Sequence, residues 1–348
     1  MFFLLVAAFG TSLLIAMGAS AWFTRRLEVL SDLWRFSPGL LSLLGALGAN
    51  IPNYVASLDA AMTGQAGVGI GIIIGSNIYN VAVILGMTAL ASPARQGMRL
   101  SLEGARDARL VGGFTLAIMV ATGAAAGFFS WKESPQISHQ AMFQASFVLT
   151  ACNLVTLGLF CALAIHALRR TPESPLPAKR VARQMESGDE RASALPKHGG
   201  LKLRVLGEML LALGIALGAV LVMVQTGQAA ALAVHLPPAI LSLVVLAVAT
   251  SLPNTIVAFT LARTGRAEAC VEEIFSSNGV NATLGIALPL LFWSGMQSDH
   301  FLVLLDGPLM IALTGMALLW VRQRRVSRAA GVLLLLVYLV WIVIHVLL

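Results

Sequence analysis

The sequence predicts an all-α polytopic membrane protein of ten transmembrane helices, arranged as two inverted five-helix repeats. Three observations point there. Apolar residues make up 58% of the 348 positions and charged residues only 11%. The apolar residues gather into runs of membrane-spanning length, and one polar-marked apolar segment recurs about two hundred residues later. A mean hydropathy of +0.85 exceeds what a soluble chain of this size can bury.

Taken in order, the runs fall at roughly 2–23, 38–62, 66–92, 108–130, 144–168, 205–227, 237–262, 267–295, 302–321 and 329–348. The first lacks a basic segment ahead of it and is read as a span rather than a signal peptide. Of the 23 Lys and Arg residues, 22 lie in the loops after spans 1, 3, 5, 7 and 9, and Lys132 alone lies on the other face. The positive-inside rule then places both termini outside and the loop at 169–203 in the cytoplasm, within an integral membrane protein of the bacterial inner (plasma) membrane type. The net charge of +7 is therefore a topology signal, and nucleic acid drops out as a partner in favour of the lipid bilayer. Cys152, Cys161 and Cys270 lie in apolar stretches without C-x-x-C spacing, which indicates neither disulfides nor zinc.

The stretch 169–203 is rich in Pro, Ser and mixed charge and reads as a linker between residues 1–168 and 204–348. Each part holds an odd number of spans, so homologous parts must be inverted. A shift of 201 residues lays Pro52-Asn53 on Pro253-Asn254, Thr63-Gly64 on Thr264-Gly265, Ser76-Asn77 on Ser277-Asn278 and Asn80 on Asn281. Ten of the 29 positions from 52 to 80 are identical without a gap. Inverted repeats with interrupted helices at the midplane are the architecture of secondary transporters.

The repeated segments, about 45–90 and 240–291, carry the chemistry. "GANIPNYVAS" (48–57) and "ATSLPNTIVA" (249–258) each set a proline among polar residues, and a proline inside a span frees carbonyl oxygens. "GSNIYN" (75–80) and "SSNGVN" (276–281) follow. Ser76 and Asn80 share a helix face, as do Ser277 and Asn281, Asn50 and Asn53, and Ser251 and Asn254. Brought together, these amides and hydroxyls form a neutral oxygen cluster suited to a dehydrated hard cation. The alternative for any one of them is an ordinary interhelical hydrogen bond.

These residues resemble the calcium/cation antiporter superfamily, the sodium/calcium exchanger-like membrane proteins, whose two alpha-repeats read approximately G-T-S-x-P-E and then G-S-N-x-x-N or G-S-N-x-x-D. Asp107 and Asp306 resemble an acidic residue common near the starts of spans 4 and 9. The resemblance implies an alternating-access cation antiporter. Its expected ligands are Asn50, Asn53, Ser76, Asn80, Thr250, Ser251, Asn254, Ser277 and Asn281, assisted by backbone near Gly48, Ala49 and Ala249. Where the family places a glutamate after each proline, this sequence has Asn53 and Asn254. A carboxylate about 2.4 Å from a divalent ion contributes on the order of 10 kcal/mol before desolvation, even at an effective dielectric near ~20. Losing two of them shifts the expected preference towards a monovalent ion.

A compensating acid is available on one side. Glu273 lies four residues before Ser277 and Glu272 four before Ser276, whereas their 201-shift counterparts are Ile72 and Gly71. The alternative role for Glu268, Glu272 and Glu273 is to complement the first turns of a helix and Arg263 or Arg266. The rival readings are a Ca2+/cation exchanger using Glu273 or Glu272, and a sensor or scaffold that no longer transports. No nucleophile–base set or H-E-x-x-H motif points to an enzyme. No cofactor motif is present either, and the expected ligand is the cation itself, with Na+, K+, Ca2+ and H+ all open.

Overall fold

The computed structural model describes residues 2–34, 38–132, 139–169, 198–263, 265–292 and 301–347. Helix α1 (Phe2–Trp34) leads to α2 (Pro38–Ala49), α3 (Ile51–Met62) and α4 (Ala66–Tyr79). A π-helical segment, Asn80–Leu85, joins α4 to the short α5 (Gly86–Ala91), and α6 (Leu102–Lys132) and α7 (His139–Arg169) follow. The later part comprises α8 (His198–Ala233), the one-turn α9 (Pro238–Ile240), α10 (Ala247–Arg263) and α11 (Ala267–Ala282). It ends with α12 (Leu288–Phe292), α13 (Gly307–Arg322) and α14 (Arg328–Leu347). Three more π-helical segments lie at Leu241–Leu246, Thr283–Ala287 and Leu302–Asp306.

Among the described residues, nine helical stretches are long and apolar enough to cross a membrane, and they fall on nine of the runs read from the sequence. The remaining run, 38–62, is occupied by α2 and α3, twelve residues each. At about 1.5 Å per residue, neither alone crosses a hydrocarbon core of about 30 Å. Of the expected linker at 169–203, residues 170–197 lie outside the described residues. Its end is already helical, because α8 begins at His198.

Burial locates the centre of the molecule. The most apolar windows of Gly67–Ala91 and Ala267–Leu291 are 89% and 83% buried, against 17% for Phe2–Ser31 and 28% for Gly200–Ala233. Helix α1 packs along α8, and both turn residues such as Leu14, Ile15, Leu210 and Leu211 outward. Outward apolar side chains are what lipid requires of a span. The two enclosed stretches are the ones that carry Ser76–Asn80 and Ser277–Asn281.

Close backbone approach builds this centre. A Cβ on Gly75 would sit 2.3 Å from the Leu243 carbonyl oxygen and 2.8 Å from the Ala247 Cβ, so only glycine lets α4 lie against the start of α10. Further out, the fully buried Asp306 accepts from the Trp341 indole N–H (2.7 Å) and lies 3.2 Å from His345 Nε2, tying α14 to the start of α13. Tyr338 and Tyr79 meet edge to face at 5.8 Å, and the Tyr79 hydroxyl accepts from Thr255 on α10 (3.4 Å).

The basic loops come together. Met98–Arg99 pairs antiparallel with Arg325–Val326, and the Arg328 guanidinium donates to the Ser92 carbonyl (3.3 Å). The Ser101 backbone N–H donates to Glu268 Oε1 (2.7 Å), so Glu268 bridges to α6 rather than complementing only its own helix. Glu208 pairs with Arg204, as its spacing predicts, and also with Arg26 of α1 (2.8 Å).

Replacing Gly75 with Leu should lower stability by about 1–3 kcal/mol through overpacking. Gly10→Ala, where a Cβ meets nothing within 4 Å, should leave stability unchanged or slightly raised. Thermal unfolding of the detergent-purified variants tests the contrast.

Candidate cation site

Two asparagines define the centre. Asn77 Nδ2 donates to the Asn278 carbonyl (3.4 Å), and Asn278 Nδ2 donates to the Asn77 carbonyl (3.2 Å). Around them Asn80 Nδ2 donates to Asn278 Oδ1 (2.8 Å), while Asn281 Nδ2 donates to Asn77 Oδ1 (3.1 Å). Each bond is the image of another under the 201-residue shift. All four side chains are at most 1% exposed. Buried amides at this density must satisfy one another, since each unmet group costs about 1–3 kcal/mol.

Proline supplies the next layer. Pro52 has no N–H for the Gly48 carbonyl, and the Asn53 N–H turns back to the Asn50 carbonyl (2.9 Å). Both Gly48 and Ala49 carbonyls thus lose their helical donors, and the chain breaks into α2 and α3 at Asn50. The Asn50 side chain patches the break by donating to the Ala46 carbonyl (2.6 Å), and the Tyr54 hydroxyl donates to that of Leu47 (3.3 Å). Pro253 behaves differently. It stays inside the continuous α10 and deprives only the Ala249 carbonyl, and the departure from α geometry lies upstream at Leu241–Leu246. The expected pair of helix breaks is one break and one π-helical detour.

The side chains split into two unlike halves. In the first, Asn53 Nδ2 donates to Asn50 Oδ1 (2.9 Å) and Asn281 Oδ1 (3.3 Å). Ser76 Oγ donates to Asn53 Oδ1 (2.9 Å), and Ser251 Oγ donates to Ser76 Oγ (3.0 Å). This half is closed. In the second, Asn254 Nδ2 crosses to Asn50 Oδ1 (2.7 Å), leaving Asn254 Oδ1 without a donor. Asn80 Oδ1 also has none. The shift would give Asn254 Oδ1 a bond from Ser277, but the Ser277 hydroxyl donates to Glu273 Oε1 instead (2.9 Å).

Seven of the nine expected ligands therefore enter one network: Asn50, Asn53, Ser76, Asn80, Ser251, Asn254 and Asn281, while Ser277 bonds Glu273 alone. Thr250 stays outside as well, because its hydroxyl donates back to the Leu246 carbonyl (2.7 Å). Glu273 is buried and bonded to a site residue. Glu272 is buried as well, about 100° further round α11. Asn77 and Asn278 are the members the ligand pattern missed, although the repeated Ser-Asn pair marked their positions. Ser57 lies outside the network: its hydroxyl donates to the Gly285 carbonyl (2.6 Å), within the π-helical Thr283–Ala287. A neighbouring cavity of about 100 Å³ reaches Met310, whose Sδ accepts from Asn77, but Ile70, Ile74, Ile286 and Leu302 make its wall apolar. Among the described residues, no three His, Cys, Asp or Glu side chains come together to hold a metal.

Residues 4–165 and 206–347 match the sodium/calcium exchanger protein family. The chain belongs to that family. It is 26% identical over 306 residues to the inner membrane protein YrbG of Escherichia coli K12, covering 85% of this chain and 82% of the relative. It is 42% identical to the sodium/calcium exchanger MaX1 of Methanosarcina acetivorans over 52 residues, 15% of each chain. The fold matches that of the sodium-calcium exchanger NCX_Mj soaked with 10 mM Na+ and zero Ca2+, with a TM-score of 0.65, 19% identity and 99% of both chains covered. In this family member the two matched blocks flank the polar stretch and each contains one of the proline segments.

The network predicts an order of stabilities. Asn77→Ala strands the Asn281 amide, while the Asn278 carbonyl keeps its helical donor, and should cost about 1–3 kcal/mol. Asn254→Ala removes one donor from Asn50 Oδ1, which keeps that of Asn53, and should cost less. Thermal unfolding in ion-free buffer measures both.

Proposed function

We propose that the protein is a secondary-active cation transporter working by alternating access, with ion selectivity shifted towards monovalent cations. The observation that carries this reading is the buried network of amide and hydroxyl oxygens, in which Asn53 and Asn254 stand where the resemblance places glutamates. Neutral oxygens replace the hydration shell of Na+ or K+ at far smaller cost than that of Ca2+, whose dehydration calls for carboxylates. The Gly48, Ala49 and Ala249 carbonyls, short of helical donors, add further oxygens of the same neutral kind.

The membrane arrangement belongs to the same proposal: ten spans, with α2 and α3 together as the second, in two inverted five-helix repeats. Reciprocal bonds between residues 201 apart support it, as do the segments 92–101 and 323–328 and Glu268 meeting on one face. Both termini are then outside and the polar loop cytoplasmic. Membership of the exchanger family and the inner-membrane location of YrbG support a transporter in a bacterial inner membrane.

Thermal unfolding of the purified protein tests this, with Na+, K+ and Ca2+ titrated against an inert organic cation. A monovalent ion at a hundred times its Kd should stabilise by about 2.7 kcal/mol, and Asn53→Ala/Asn254→Ala should abolish the effect. Proteoliposomes should accumulate the same ion. Saturable stabilisation by Ca2+ instead would overturn the monovalent assignment, and no response to any cation would overturn transport.

A further inference from the structure

The three buried side-chain oxygens left without a donor in and beside this network are Asn80 Oδ1, Asn254 Oδ1 and Glu273 Oε2. Their residues are 1%, 1% and 7% exposed. They come from three different elements, the π-helical Asn80–Leu85, α10 and α11, which pack on one another. The 201-residue register relates the two amides to residues that touch one another in the closed half. It maps Asn254 and Asn80 onto Asn53 and Asn281, which touch in the closed half (3.3 Å). It maps Ser277 onto Ser76, which touches Asn53 (2.9 Å). Ser277 is thus the counterpart of the serine that bonds Asn53, and the Glu273 carboxylate stands against Ser277 at 2.9 Å.

We propose that the cation binds off centre, in the half formed by Asn80, Asn254, Ser277 and Glu273, and that Glu273 supplies the charge that the twin asparagines lack. This rests on the transport reading above and adds the position of the ion and its charged ligand.

The chemistry explains why the two halves differ. In the closed half every amide oxygen already receives a hydrogen, so a cation entering there competes with the bonds among Asn50, Asn53 and Ser76 for those oxygens. In the open half the acceptors are desolvated and unoccupied, and a buried acceptor without a donor is the group that gains most from a cation. Glu273 creates that opening, because its Oε1 draws away the Ser277 hydrogen that Asn254 would otherwise receive. It also leaves the Ser277 oxygen lone pairs free to ligate. Ile72, at the matching position of the first repeat, can do neither. One carboxylate with two amide oxygens and a hydroxyl neutralises one monovalent ion and leaves a divalent ion half compensated.

The charged and titratable groups on the helices packed against α11 are Glu103, Arg106, Asp107 and Arg109 on α6, Arg263 on α10 and Tyr79 on α4, with Glu268 and Glu272 on α11 itself. None of them makes a described hydrogen bond or ion pair to Glu273. Its described hydrogen bond is the one from the Ser277 hydroxyl.

The test titrates Na+ and K+ chlorides against the full-length purified protein and follows thermal unfolding. Glu273→Gln keeps the shape and the Ser277 acceptor but removes the charge, and Asn80→Ala removes one open oxygen. Each should raise the apparent Kd of the stabilising ion at least tenfold while leaving the ion-free protein folded. Glu273→Asp keeps a carboxylate and should retain saturable stabilisation. Should Glu273→Gln fail to fold, Asn80→Ala and Glu273→Asp decide: tenfold weakening in the first with saturation in the second upholds the proposal. Unchanged affinity in Glu273→Gln or in Asn80→Ala overturns it. Wild-type protein that responds to no cation fails the transport reading itself, whereas a responding wild type with an equally responsive Glu273→Gln fails this inference alone.

Discussion

Asn77 and Asn278 each donate to the other's backbone carbonyl across the middle of the molecule. A polar group enclosed by apolar helices has no water to turn to, so these bonds fix how closely α4 and α11 approach and in what register. Once they are made, Asn80 and Asn281 find their partners in the same two residues, and four amides become one rigid unit. The glycines follow from this closeness: Gly75 is tolerated, and required, because the start of α10 lies against the backbone of α4.

Around that symmetric unit the rest is asymmetric, and a few side chains account for it. Asn50 has an amide with which to repair the broken helix and to accept from Asn53 and Asn254, whereas Ser251 at the matching position has only a hydroxyl, which it gives to Ser76. Glu273 takes the hydrogen of Ser277, whereas Ile72 leaves Ser76 free to serve Asn53. The outcome is one half in which the polar groups satisfy each other and one in which oxygens are left over. On the transport reading proposed above, a site must be neither too satisfied to bind nor too costly to leave empty, and a half-closed network has that character.

Much of this was legible in the sequence because it rests on strong signals. Apolar run length reports a constraint that the bilayer imposes on any chain, and nine runs recur as helices of spanning length among the described residues. Seven of the expected ligands meet because a buried polar face has nowhere else to go. What was not legible depends on competition between partners. Proline is read as a helix break, yet Pro253 stays in a continuous helix because the departure from α geometry is taken up at Leu241–Leu246. Thr250 matches the pattern but finds the Leu246 carbonyl nearer. The central role of Asn77 and Asn278 hid behind their neighbours, since a residue that holds a site together looks in sequence like one that lines it.

The account stands most directly on where a cation sits. Crystals grown without Na+ or K+ and soaked in Tl+, which scatters anomalously and substitutes for alkali ions, would show this without reference to affinity or flux. The account predicts a single peak within coordination distance of Asn80 Oδ1, Asn254 Oδ1 and a Glu273 carboxylate oxygen, with Asn53 and Asn281 still bonded to each other. A peak between Asn53 and Asn281, or no peak inside the protein, would contradict it.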